Sequence, residues 1–234
     1  MSNLPVKRSS SKDIAAFLDA AARTPTLAQV KGRLIFAVDA TMSRQPTWEA
    51  ATEIQSDMFE VAQSIGGLGV QLVYFRGRGE FEASEWTTTP AALAARMRRV
   101  STRSGFTQLR RVLSHAAEEA RRTKVGALVY VGDCFEENAD VVAKEAGALA
   151  LLAVPAFMFH EGDDPNAAAM FRDIARLTHG VYARFDSGAG QQLRDLLRAA
   201  AVYATGGGPA LNRFAELAGG EVLRLARSIG TKPG

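Results

Sequence analysis

Four runs of strand length, residues 34–38, 70–75, 125–131 and 150–157, are apolar almost throughout, and stretches patterned as helices separate them. A strand with one wet face alternates apolar and polar residues. A run apolar at successive positions suits a strand covered on both faces. After the first run, Trp48, Ala51, Ile54, Met58, Val61 and Ile65 recur at helical spacing over residues 47–65, and Gly66-Gly67 end the pattern. Helices are also expected over residues 91–100 behind Pro90, 107–122, 139–148, 164–178 and 191–203, with a short strand at 181–185. Residues 81–86, after a turn at Gly77 and Gly79, read as a short antiparallel edge strand. Strands alternating with helices imply right-handed crossovers. The expected fold is therefore a three-layer α/β domain, with a mostly parallel central sheet, one antiparallel edge strand and helices on both faces.

Three segments follow. Residues 1–30 form a polar start with a short helix carrying Ile14, Ala15, Phe17, Leu18 and Ala21, and residues 31–205 form the α/β domain. Residues 206–234 open on a Gly206-Gly207-Gly208-Pro209 linker and carry Leu211, Phe214, Leu217, Val222 and Leu225 on a C-terminal amphipathic helix, expected to pack back on the domain or on another subunit. A chain of 234 residues that is 47% apolar builds a sizeable core without disulfide staples. The single Cys134 excludes an internal disulfide and any multi-cysteine zinc site. No apolar run is long enough to span a bilayer. The Ser- and Lys-rich start lacks the apolar stretch of a secretory signal, so the cytoplasm is the expected compartment and no membrane partner is expected. Residues 96–124 carry nine basic side chains against Glu118 and Glu119. Without interleaved aromatics they read as solvated helix faces, and no nucleic-acid partner is expected.

The first apolar run ends in Asp39-Ala40-Thr41-Met42-Ser43, and the 125–131 run ends in Gly132-Asp133. In a doubly wound sheet, ligands bind in the crevice outside the carboxyl ends of the strands. Thr107 stands at a helix start after Ser104-Gly105-Phe106. Hydroxyl and carboxylate oxygens suit a hard divalent cation such as Mg²⁺, which is commonly held by only one or two carboxylates. The set has no His or Cys ligand, which argues against zinc. The plainer alternative is that Asp39 and Ser43 cap the next helix and Thr107 caps its own.

The order and context of these elements resemble the metal-ion-dependent adhesion site of von Willebrand factor A (VWA) domains. That site has Asp-x-Ser-x-Ser after the first strand, a Thr before a helix, and an Asp after a later strand. Asp39-Ala40-Thr41-Met42-Ser43 matches with Thr in place of the first Ser; Gly105-Phe106-Thr107 and Gly132-Asp133 match the other two elements. The resemblance covers about residues 33–203. It implies direct ligation by the hydroxyls of Thr41, Ser43 and Thr107, with Asp39 and Asp133 acting mainly through water. It also implies Mg²⁺ (or Mn²⁺ or Ca²⁺), with a partner protein's Asp or Glu carboxylate completing the shell. Arg44, Arg103, Arg110 and Glu136 are expected on the rim that meets the partner. Arg44-Gln45-Pro46 departs from the family's usual sequence. An Arg there would either pair with the incoming carboxylate or weaken metal affinity by repulsion.

There is no phosphate loop, dinucleotide fingerprint or Gly-x-Ser-x-Gly elbow. Asp39 lacks the second Asp two residues on that haloacid-dehalogenase phosphatases carry, His115, His160 and His179 are scattered, and no base flanks Cys134. The expected function is thus non-enzymatic: an intracellular, Mg²⁺-dependent protein-binding module. Analogy alone places its partner in a larger ATPase or stress-response assembly. The alternatives are a metal-assisted phosphohydrolase, and a scaffold with a vestigial site that interacts through its C-terminal helix.

Overall fold

The computed structural model describes residues 25–186 and 189–230; the helix expected at residues 14–21 lies outside them. In chain order the elements are β1 (Gly32–Asp39), a single 3-10 turn (Met42–Arg44), α1 (Gln45–Ile54), α2 (Ser56–Gln63), β2 (Leu68–Arg76), β3 (Glu80–Ala83), α3 (Pro90–Met97) and α4 (Leu109–Arg122). There follow β4 (Ala127–Gly132), α5 (Ala139–Leu151), β5 (Ala156–Glu161), α6 (Pro165–Leu177), β6 (Val181–Phe185), α7 (Gly190–Ala218) and α8 (Gly220–Gly230). The six strands lie in the order β3-β2-β1-β4-β5-β6. Every pairing is parallel except that of β2 with β3.

The continuous apolar runs arise because both faces of the sheet are buried. In β1, Leu34, Phe36 and Val38 join a core with Trp48 of α1, Met58 of α2, Leu93 of α3, Leu197 of α7 and Val222 of α8. Ile35 and Ala37, alternating with them, join a second core with Val112 of α4, Val142 of α5 and Phe171 of α6. The indole of Trp48 donates to the Met97 carbonyl at 3.1 Å, which ties α1 to α3. The helix expected over residues 47–65 appears as α1 and α2. Its ladder breaks at Gln55, yet Gln55 keeps helical torsions (φ −60°, ψ −25°).

Two expectations need correction. The run at residues 150–157 is not one strand: Ala150 and Leu151 complete α5, Ala153 turns the chain with φ 54°, and β5 starts only at Ala156. A helix end and a buried strand both read as apolar, so hydrophobicity alone could not divide them. Nor do Gly206–Pro209 form an open linker. Residues 190–218 continue as one helical element, kinked where Gly207 adopts φ 66°, ψ −165°. Pro209 then sits in the first turn of the resumed helix, where its missing N–H costs nothing. Leu211, Val222 and Leu225 are buried against the domain, whereas Leu217 is exposed.

Gly126, entering β4, lies so close to α7 that a Cβ there would stand 2.2 Å from the Ala204 carbonyl oxygen. We expect Gly126→Ala to destabilise the domain by about 1–3 kcal/mol through overpacking. Gly147→Ala on α5, where a Cβ would meet nothing within 4 Å, should instead stabilise it by about 0.5–1 kcal/mol. Urea denaturation midpoints of the two variants, moving in opposite directions, check the packing of α7 on the sheet.

Candidate metal centre

The chain runs from β1 outward to β2 on one side and returns to β4 on the other, so the switch in strand order falls between β1 and β4. Val38 pairs with Val131, so Asp39 and the Gly132-Asp133 pair leave the sheet side by side. Asp39 is fully buried. Its Oδ1 accepts the Thr41 N–H at 2.8 Å, a side-chain turn that swings the chain out of the strand. Thr41 Oγ1 lies 3.2 Å from Ser43 Oγ, and the Ser43 hydroxyl donates to Asp133 Oδ2 at 3.1 Å. Four of the five expected ligands are thus joined in one bonded chain. Asp39 Oδ2 and Asp133 Oδ1 remain buried without a hydrogen-bond partner. Ligand atoms of Asp39, Asp133 and Cys134 all lie within 4.8 Å of one another.

Thr107 sits on the neighbouring loop, outside that chain of bonds. Its Oγ1 accepts the Glu136 N–H at 3.1 Å, and its own N–H donates to Glu136 Oε2 at 3.3 Å. The loop is pinned to the β1 end by Arg103 N–H donating to the Ala40 carbonyl at 3.1 Å. The capping alternative does not describe these residues. No side chain caps the 3-10 turn, α1 or α4 at its N-terminal flanking residue. Glu137, from the β4–α5 loop, instead accepts the N–H groups of Leu109 and Arg110 at the start of α4. Asp164 does cap its own helix, accepting from Ala167 N at 2.7 Å.

Arg44 turns inward rather than standing on the rim. It is buried, its Nη2 lies 3.1 Å from Asp133 Oδ2, and its Nη1 pairs with Glu161. Glu161, the last residue of β5 and 3% exposed, also accepts the Thr47 hydroxyl. Sequence reading missed Glu161 because it ended this strand at residue 157. A carboxylate closing an apolar strand was the available signal. Among the other rim residues, Glu136 and Arg110 are exposed. Arg103 is also exposed and pairs with Glu80 at 2.9 Å. Much of the basic stretch serves the β2–β3 edge: Arg111 lies 4.7 Å over the Phe81 ring and donates to the Gly79 carbonyl.

Burial, assisted by neighbouring Asp133, pushes the Asp39 carboxyl up to about 6 despite the opposing Thr41 bonds. Burial likewise raises the Cys134 thiol, with Asp133 adding to the effect, so the sulfur stays protonated in the metal-free protein. His160 is buried behind Asp133, and burial lowers its pKa. Its Nε2 lies 3.1 Å from the Asp133 carbonyl, which can only accept; Nε2 therefore carries the proton and Nδ1 accepts from the Tyr182 hydroxyl at 2.9 Å. Both nitrogens of this imidazole are occupied, one holding the loop at Asp133 and the other bonded to Tyr182 of β6.

No family model and no curated protein sequence matches the chain. Solved structures do. The SpRpn10 VWA domain aligns with a TM-score of 0.55 at 13% identity, over 73% of this chain and 94% of that one. The PilB minor pilin from Streptococcus sanguinis aligns at 0.55 and 9% identity, over 84% of this chain and 65% of that one. Proximal thread matrix protein 1 from the mussel byssus, in a structure with a zinc-occupied MIDAS motif, aligns at 0.53 and 14% identity. That alignment covers 74% of this chain, which spans about half of the byssal protein (46%). The fold of this chain is therefore the VWA fold.

Two outcomes follow from the electrostatics. Asp39 has a native pKa of about 6 against 3.8 when unperturbed, so its charge opposes folding fully above pH 6 and not at all below about pH 4. The metal-free protein should lose on the order of 3 kcal/mol of stability from this group as pH rises through that window. Asp39→Asn should thus be more stable than the parent at pH 7.5 in EDTA, and the gap should close near pH 4; denaturant titrations at the two pH values measure it. Arg44→Ala, which strands Glu161 in the core, should cost about 3–5 kcal/mol. Restoring stability by adding Glu161→Gln would assign the loss to that unpaired carboxylate.

Proposed function

We propose that this chain is a Mg²⁺-dependent protein-binding module, acting inside the cell, whose metal captures an Asp or Glu side chain of a partner protein. The observation that carries the reading is the pair of buried carboxylate oxygens, Asp39 Oδ2 and Asp133 Oδ1, left without partners beside the Thr41 and Ser43 hydroxyls. A buried polar oxygen without a partner is costly, and a cation is the natural complement of two. Charge supports a divalent ion. The carboxylates of Asp39, Asp133 and Glu161 face one guanidinium, that of Arg44, which leaves two negative charges to balance.

Asp39, Thr41, Ser43, Thr107 and Asp133 would hold the ion in the manner of a MIDAS motif. The all-oxygen donor set favours Mg²⁺, with Mn²⁺ or Ca²⁺ as substitutes. When bound, such an ion offers an electrophilic position that a carboxylate fills well. Asp39 supplies buried charge, the 41–43 turn brings two hydroxyls together, and Arg44 holds Asp133 by one oxygen while the other stays unpartnered.

Binding is favoured over phosphohydrolysis because, among the described residues, neither His160 nor Cys134 is free to act as a base beside the site. His160 is bonded at both nitrogens and Cys134 stays protonated. Titration calorimetry of the full chain with MgCl₂ and MnCl₂ should find one site, lost in Asp39→Ala without change in the circular dichroism spectrum. Absence of any divalent binding at millimolar metal would sink the proposal. Mg²⁺-dependent turnover of p-nitrophenyl phosphate, lost in Asp133→Ala, would move the function to the phosphohydrolase reading.

A further inference from the structure

Five large hydrophobic side chains are exposed among the described residues: Met42, Phe106, Val141, Leu151 and Leu217. Val141 and Leu151 lie on α5 and Leu217 on α7; isolated apolar side chains of this kind need no explanation. Met42 and Phe106, 65% and 60% exposed, are different because of where they stand. Met42 lies between Thr41 and Ser43, and Phe106 immediately precedes Thr107. Their loops are bonded to each other, Arg103 N–H to the Ala40 carbonyl at 3.1 Å and the Ser104 hydroxyl to Met42 Sδ at 3.3 Å. The fold needs neither side chain, since Arg44 fills the inward position of the 3-10 turn and Leu109 supplies the core contact after Thr107.

We infer that this edge takes a protein segment carrying an Asp or Glu within one or two residues of a large apolar side chain. The carboxylate goes to the metal, and the apolar neighbour covers Met42 and Phe106. The inference rests on the metal-dependent reading above and narrows its partner class. The surrounding charge complements such a segment. Arg103 and Arg110 are exposed at this edge, and so is Arg78 on the β2–β3 turn, whose Gly77 carbonyl accepts Phe106 N–H at 3.4 Å. Against these three stand the exposed Glu136 and Glu80, the latter paired with Arg103, so the edge keeps a net positive charge. Phe gives rigid contact area and Met adapts to the shape of what it meets, so the pair suits a short anchor beside a fixed charge.

The test is selection of a random peptide display library on the Mg²⁺-loaded full chain, with elution by EDTA. Eluted sequences should be enriched in Asp or Glu flanked by Phe, Leu, Met or Trp. The double variant Met42→Ser, Phe106→Ser should bind a selected peptide at least about tenfold more weakly while keeping the parent's Mg²⁺ affinity by calorimetry. EDTA-released acidic peptides without an apolar neighbour, or unchanged affinity in the double variant, would overturn this inference and leave the metal reading standing. Tighter Mg²⁺-dependent sedimentation with phosphatidylserine vesicles than with any selected peptide would also overturn it, by giving the same apolar pair to a lipid surface. Peptides that elute regardless of EDTA would sink the metal reading, and this inference with it.

Discussion

Two adjacent parallel strands, buried along almost their whole length, each deliver a carboxylate to the same crevice, and most of the surrounding architecture answers that placement. Burial chiefly, with the neighbouring Asp133 charge adding to it, raises the proton affinity of the Asp39 carboxyl. Among the described residues one internal counter-charge, Arg44, meets these carboxylates, and it is fixed from two sides through Asp133 and Glu161. The 3-10 turn that presents Met42 and Ser43 outward is the same turn that carries Arg44 inward. Exposed hydroxyl and buried guanidinium are thus consequences of one local conformation. The loops that complete the crevice are held by bonds to backbone, Arg103 to Ala40 and Glu137 to the first N–H groups of α4.

Much of the fold was legible in the sequence because burial on two faces leaves an unmistakable composition. Strand β1 shows the logic residue by residue, with Leu34, Phe36 and Val38 serving one core and Ile35 and Ala37 the other. Legibility failed where two elements met without a polar break. The α5–β5 junction, Ala150-Leu151-Leu152-Ala153-Val154, has no charge to mark it, and only the positive φ of Ala153 does so in the structure. It failed also at Gly206–Pro209, whose composition reads as a linker. There Gly206 packs so tightly that a Cβ would meet Ala210 at 2.5 Å and Ile65 at 2.9 Å, which ties the segment to the domain.

The candidate site divides in the same way. Asp39, Thr41, Ser43 and Asp133 could be grouped from sequence because each sits at or just beyond the end of a recognisable strand, and the topology brings those ends together. The pairing of Arg44 with Glu161 spans 117 positions (161 − 44) and links a turn after β1 to the end of β5, which no local pattern encodes. Arg44 reads from sequence as a solvent-facing cation because arginine usually is one; its burial follows from two carboxylates that only the folded sheet places beside it.

The same arrangement makes the site a liability to the fold. A buried Asp39 carboxylate with one unpaired oxygen, a second such oxygen on Asp133, and an arginine too few for the carboxylates around it oppose folding at neutral pH. Burying hydrophobic residues of similar shape there would stabilise the domain more. Sites of this sort are retained where strain is relieved by a ligand, and a ligand that binds only the native state adds its binding free energy to stability. Were an ion to bind there, its occupancy and the domain's stability would be linked quantities. The hydroxyls of Thr41 and Ser43 would fit such a linkage, because neutral ligands would let an ion satisfy the carboxylates while keeping enough positive charge to attract another acid.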